Sequence, residues 1–438
     1  MRALTRSSAL TRSRALTRSR ALTRSVALAT GALLLAGLAG CSASGGDSGG
    51  KTEITWFKLT ESADSANATI NQIVSDFEEA NPDITVKVEQ RAVDAHKDAL
   101  RTTLGTSGAP DLFFSWAGPG LGGEFIDAGA SLDLKEYYDE YGWADRFSDT
   151  TMSTVTQYGG YDGVPYTQRT EAVFYNKDLF EQAGIDAAPT SYDELVEDAG
   201  KLKDAGITPF EFGGTVNWHV MRLLDSLLET ECGADGYQAL VTGEASWADE
   251  SCVTDTFTEF ATWTKDYVND GFISINNDES SSLFFAGKAA MAIEGDWFNQ
   301  QIRDAGMSED SVGIFAFPTG TDRIYGFNEN NYISANSEHA DEAAKFLDYL
   351  TSAEAQATFI ATFGSRSVNV DVTPEDQSAF DALWNPITEA ATGVYMNNDQ
   401  NLSQSQTTEY WRIQNLVATG DLDPADAGAE FQKFIDQQ

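Results

Sequence analysis

Nucleophiles and metal ligands are scarce in this chain. Its 438 residues hold three cysteines and three histidines. The histidines are scattered at 96, 219 and 339, so no zinc site and no other cofactor is expected. There is no HExxH motif. The glycine-rich run at 118–123, GPGLGG, lacks a phosphate-binding lysine and reads as a loop. Paired carboxylates could hydrolyse glycosides, but among 68 acids such pairs arise by chance. The more informative residues are the nine tryptophans. Trp116 closes an apolar run, where a strand would end at a cleft. An indole plate beside fixed polar groups suits a ligand with apolar faces and a hydroxyl rim. The plain alternative for any tryptophan is core packing. Polar candidates sit at loop positions: Lys58 and Glu61 after the first strand, Asp296 before Trp297, and Arg366 in GSRSV after a helix. Each could equally be a solvated or structural ion pair. His219 reads first as a core or surface histidine, and as a ligand contact only through its neighbour Trp218.

Several elements must position these groups. Ile54–Phe57 reads as a first strand. Ile70, Ile73, Val74 and Phe77 fall on one helical face, closed by Asn81-Pro82. Ile84, Val86 and Val88 alternate as a second strand. A helix over 93–106 and a buried strand at Asp111–Trp116 complete a β-α-β-α-β order, hence a parallel sheet. Val164–Lys177 is extended. Ser191 and Glu194 have capping-box spacing at the start of a helix. A short strand at Thr208–Phe212, helices over most of 218–270, strands at Ala289–Ile293 and Val312–Phe317, and a mainly helical last third follow. In that third, Phe346, Leu347 and Leu350 share a face. No Pro/Gly/Ser linker divides the body, so two interwoven lobes are expected.

The first forty residues carry seven arginines and no acid, then an apolar run over Val26–Ala39. This is a signal-peptide order, too short for a membrane span. ALTRS occurs four times at a six-residue period within 3–25, which matches neither helix nor strand. One copy would suffice, so the start codon is expected downstream of Met1. Leu38-Ala39-Gly40-Cys41 resembles the lipobox of bacterial lipoproteins, which implies a diacylglyceryl group on Cys41; the alternative is an ordinary secreted chain. SASGGDSGG then reads as a flexible tether. Taking the seven arginines from the 28 basic residues leaves 21 against 68 acids, a net charge of −47. Such a surface excludes nucleic acid and anionic lipid as partners. Nearly 400 residues after the leader are too many for one core. In an oxidising compartment Cys232 and Cys252 read as a disulfide clipping a surface loop, the alternative being two free buried thiols.

Several stretches, in this order, resemble a known family: ITWFKLTES, FEEANPDITVKVE, GAPDLFFSWAG, GVPYTQRTEAVFYNKDLFEQAGI, PTSYDELVEDAGKLKDAGITPF, FFAGKAAMAIEGDW and NNYISANSEHADEAAKFLDYLTS. The chain is similar, over nearly all of its mature length, to the extracellular solute-binding proteins of ABC importers. The likeness is to the sugar-binding group that includes maltose-binding protein. The resemblance implies an α/β, two-lobe periplasmic-binding-protein-like fold with hinge strands and a cleft between the lobes. It implies hinge crossings near Val164–Glu171 and Tyr325–Asn331. One lobe would comprise 52–165 with 326–370, and the other 166–325 with 371–438, after a leader at 1–40 and a lipidated tether at 41–51. It implies stacking roles for Trp297, in the family's G-x-W motif, for Trp411 in TTEYWRIQN, and for Trp218. It places Asn330 at the second crossing. Arg169 stands opposite a family carboxylate, a departure that would suit a different ring or an acidic group.

The resulting expectation is a non-enzymatic, lipid-anchored receptor on the outer face of the membrane. It would be a monomer that takes a small carbohydrate to ABC permease subunits. The rivals are a polyamine or peptide receptor, which the acidity permits, and a secreted glycoside hydrolase.

Overall fold

A computed structural model describes residues 50–438, except 62, 364–366, 373–377 and the side chain of 150. The leader, Cys41 and Arg366 lie outside the described residues. Nine strands form one sheet: β1 Thr52–Leu59, β2 Ile84–Arg91, β3 Leu112–Trp116, β4 Val164–Asn176, β5 Thr208–Phe210, β6 Ala289–Gly295, β7 Val312–Phe315, β8 Arg323–Ile333 and β9 Gly393–Met396. Their order is β2-β1-β3-β8-β4-β6-β5, with β7 on β4 and β9 on β8.

The parallel trio β2-β1-β3 follows from the alternating pattern of the first sixty mature residues. The two longest strands then join unlike neighbours. β8 runs antiparallel to β3 over Leu112–Trp116 and antiparallel to β4 over Val164–Glu171. β4 continues beyond, pairing β6 over Glu171–Tyr175 and β7 over Val173–Asn176. The sheet therefore has two halves stitched through β4 and β8.

Each half has its own core. Around β1–β3, helix Asp64–Ala80 buries Ile70, Ile73, Val74 and Phe77, the stripe its periodicity requires. It stops where the backbone N–H and the side-chain amide of Asn81 both donate to the Phe77 carbonyl, each at 2.9 Å. Phe77 is fully buried against Phe346, with centroids 5.0 Å apart. Its truncation to alanine is worth about 3–5 kcal/mol. Around β5 and β6, Leu195, Leu224, Phe257, Trp263 and Ile413 share a second core.

Three local expectations change. Ser191 accepts from the Glu194 N–H at 3.3 Å, but the Glu194 carboxylate turns to Thr190 (N–H and hydroxyl, 2.8 Å) and leaves the capping box half made. The strand expected to reach Phe212 ends at Phe210: the Glu211 N–H still donates to the Met291 carbonyl of β6 at 3.0 Å, but the Phe212 N–H leaves the ladder for the Asn269 side chain. Cys232 and Cys252 are bonded, but they join two helices, Asn217–Val241 and Ser251–Asp266, and do not clip a loop. A closed loop of this length, 20 residues apart in sequence, contributes about 3 kcal/mol through chain entropy. Among the described residues no helix is long and apolar enough to cross a membrane.

Candidate functional site: a tryptophan-lined crevice

Exposure sorts the nine tryptophans. Trp56, Trp143, Trp247 and Trp263 are fully buried, and Trp384 and Trp116 nearly so. Trp218, Trp297 and Trp411 are half-buried. These three and Trp116 belong to one neighbourhood.

Helix Asn217–Val241 begins after the Gly213-Gly214 turn. A Cβ on Gly213 would lie 2.2 Å from the Asn276 backbone, so only glycine lets the chain turn here. One helical turn separates Trp218 from Arg222. Arg222 is buried, with Nε 2.8 Å from Glu171 and Nη1 2.8 Å from Glu294. Its guanidinium carbon lies 5.1 Å from the Trp218 ring and 5.3 Å from the Trp297 ring, within cation–π range of both. Glu294 is the hub. It accepts from Trp297 Nε1 at 2.9 Å, which fixes the plane of that indole, and from His219 Nε2 at 3.1 Å.

The protonation of this cluster follows from its surroundings. Burial keeps the His219 imidazole neutral by lowering its pKa, against the pull of Glu294. His219 Nδ1 accepts the Gly213 N–H at 2.9 Å, so the ring proton sits on Nε2 and points at Glu294. Burial works against ionisation of Glu294, yet Arg222 with the bonds from His219 and Trp297 holds its carboxyl below the usual range. Burial pushes Glu171 up to about 8 in spite of Arg222. Glu211, fully buried, is pushed up to about 8 by the same cause. Glu211, His219 and Glu294 offer ligand atoms within 4.8 Å of one another, a spacing that could hold a metal ion. The tautomer opposes it: a metal on Nε2 would need an imidazolate, because Nδ1 already accepts a hydrogen bond. Hydrogen-bonded support of the Trp297 indole is the role this geometry fits.

The second group straddles the two halves of the sheet. Lys97, on helix Val93–Thr103, places Nζ 3.0 Å from Asp399, 4.9 Å from the Trp116 ring and 5.9 Å from the Trp411 ring. Trp411 lies on helix Gln404–Thr419, opened by a complete capping box of Ser403 and Gln406. Its Nε1 donates to Met221 Sδ at 3.1 Å, which ties it to the helix that carries Trp218 and Arg222. Lys97, Gly120, Asp399, Thr407 and Trp411 help line a cavity of about 160 Å³. The glycines of GPGLGG have a structural purpose here. Gly120 N–H donates to the Gln400 carbonyl at 3.2 Å, and a Cβ at Gly120 would come 2.0 Å from the Leu402 carbonyl oxygen. The loop after β3 thus touches the segment before helix Gln404–Thr419 backbone to backbone.

The remaining candidates divide. Arg169 is buried between Asp296 (2.9 Å) and Glu329 (3.1 Å), and Thr167 donates to the same Glu329 carboxylate. The departure that suggested an acidic ligand therefore has an internal answer, since two acids already hold that guanidinium. Lys58 is buried and paired with Glu61 at 2.7 Å. Asn330 packs elsewhere: its amide meets the Tyr332 hydroxyl at 3.4 Å, and a Cβ on Gly163 would lie 3.2 Å from its own Cβ. The structure does not bring it to the tryptophans. Sequence reasoning missed Lys97, Glu171, Arg222, Glu294 and Asp399. Only Arg222 carried a signal, one helical turn from Trp218.

A sheet in two halves, each with its own core, and an aromatic crevice fed by both is the architecture of a two-lobe solute receptor. The model of the bacterial extracellular solute-binding proteins matches residues 62–357, and the chain belongs to that family. A binding protein of Brucella abortus is 27% identical over 367 residues, which is 80% of this chain and 85% of the relative. The multiple sugar-binding protein of Streptococcus mutans is 25% identical over 423 residues, covering 88% and 92%. A solved chitin oligosaccharide binding protein superposes with a TM-score of 0.81 at 23% identity, covering 88% of this chain and 98% of its own; this likeness concerns the fold.

Proposed function

We propose that this chain is the substrate-binding component of an ABC-type sugar importer. It captures a mono- or oligosaccharide outside the cell and delivers it to the permease, without catalysis. The lobes are 52–165 with 326–370 and 166–325 with 371–438, hinged through β4 and β8. The mature chain is a monomer held on the outer face of the membrane by a lipid on Cys41.

The observation that carries this function is the convergence of Trp116, Trp218, Trp297 and Trp411 around buried, hydrogen-bonded charges. Indole faces match the C–H faces of a pyranose, and the carboxylates and amides match its hydroxyl rim. The name of the Streptococcus mutans relative points the same way. Sugar bound to one lobe would stabilise closure through contacts with the other, to the extent that its affinity for the closed form is greater.

A panel of mono- and oligosaccharides at millimolar concentration, read by tryptophan fluorescence and thermal shift, tests this. Binding raises the melting temperature by mass action. A flat response to every sugar counts against it, and bond cleavage in the same mixtures points to an enzyme.

A further inference from the structure

Taking the sugar function as given, we infer that the crevice admits an uncharged or amine-bearing saccharide and rejects one that carries a carboxylate. Four cations bear on the site: Lys97 and Arg222 lie against the candidate tryptophans, Arg169 is held by Asp296 next to Trp297, and Lys58 lies over the core Trp56. Each already has an acid within 3.1 Å, and both arginines have two. The partners are six carboxylates against four cations; the fully ionised set carries −2, and −1 where burial keeps Glu171 protonated at pH 7. All four cations are buried, and each carboxylate is buried or nearly so. An incoming ligand carboxylate would find each of these four cations, and Arg101 in the same cavity lining as Lys97, already paired with an acid. It would have to displace an internal acid and leave that acid buried without its partner, which costs several kcal/mol.

Ligand donors fare better. Asn397 is buried, its Nδ2 reaches Glu171 at 3.4 Å, and its Oδ1 has no partner. That oxygen and the free lone pairs of the paired acids accept from hydroxyl or ammonium groups. Trp218 Nε1, likewise buried and unpartnered, donates to a hydroxyl oxygen, which any of these rings offers. The indole faces favour a cation and disfavour an anion.

The test uses the purified mature protein at pH 7 and low salt. Calorimetry or fluorescence titration compares glucose, glucosamine and glucuronate, then galactose, galactosamine and galacturonate, as free sugars and as disaccharides. Within each set that binds, the neutral or amine form should bind at least tenfold more tightly than the carboxylate. Asp399→Asn releases Lys97 from its acid and should narrow that gap by tenfold or more. Equal or tighter binding of the carboxylate by the wild-type protein overturns the inference and leaves the sugar function standing, and so does a gap unchanged by Asp399→Asn in a variant that still binds the neutral sugar. Silence across every set overturns both together.

Discussion

Two pairs of tryptophans carry the proposed site, and they are held by different means. Trp218 and Trp297 flank Arg222, whose charge is met by Glu171 on β4 and Glu294 on β6; Trp218 and Arg222 share helix Asn217–Val241, and Trp297 caps the helix that follows β6. Trp116 and Trp411 flank Lys97, whose single acid, Asp399, comes from the opposite half of the sheet. The first pair centres on β4 and β6, and Trp297 also packs against Phe327 of the other core, ring centroids 5.7 Å apart. The second is assembled only when the halves meet. On the proposed function, the first pair would be a platform for the ligand and the second a surface that responds to closure.

The sharpest way to break this comparison is to remove each central cation. Arg222→Met leaves two buried carboxylates without their partner and should cost about 3–5 kcal/mol in a urea melt. Lys97→Met strands one carboxylate beside a cavity and should cost about 1–2 kcal/mol. Equal costs would show that the two clusters are equally structural. The next effect is on binding. Trp297→Ala removes a plate of the proposed platform, and sugar affinity should fall by about 2–3 kcal/mol, or 30- to 150-fold, by calorimetry. Trp411→Ala should cost about tenfold, mostly as faster dissociation in stopped-flow fluorescence, since it acts only after closure. Gly120→Ala probes the contact between the loop after β3 and residues 400–402, which the proposed function makes part of the closed state. Its Cβ would collide with the Leu402 carbonyl, so affinity should drop about tenfold while the urea midpoint stays put. A lower midpoint with unchanged affinity would mean that this contact supports the fold and not the closed state.

Much of the fold was legible because it rests on local pattern. The Ile70–Phe77 stripe, the alternation at 84–88 and the apolar run at 111–116 each state their element. The half-made cap at Ser191 was not, because spacing shows only that Glu194 can reach back, while Thr190 competes for it with both its N–H and its hydroxyl. The tryptophans were legible as loop aromatics. Their supports were not: Glu171, Glu294 and Asp399 are three acids among 68, and only the sheet register and the approach of distant segments give them partners. Asn330 shows the converse. Position on β8 put it at the crossing, but the pleat turns its side chain to Tyr332, away from Glu329 beside it.

A last test separates the clusters by pH. Burial raises Glu171 and Glu211 to about 8, and Asp225 to about 7, far above the ordinary carboxylate range near 4. Between pH 4 and 8 these groups keep protons in the folded chain that the unfolded chain has released. The unfolded state then binds fewer protons, so stability falls as pH rises. Their favourable share is complete below about pH 4 and is lost through pH 7–8. Self-repulsion in a strongly acidic chain has the same sign, so the raw slope cannot assign the effect. Glu211→Gln can, because glutamine stays neutral at every pH. The loss of stability from pH 5 to pH 8, measured by urea melts, should shrink by about 2 kcal/mol in this variant. Trp411→Ala removes no titrating group and should leave the slope unchanged. A Glu211→Gln slope equal to wild type would mean that Glu211 is ionised in the fold, and the cluster beneath Trp297 would then carry one more negative charge than its packing implies.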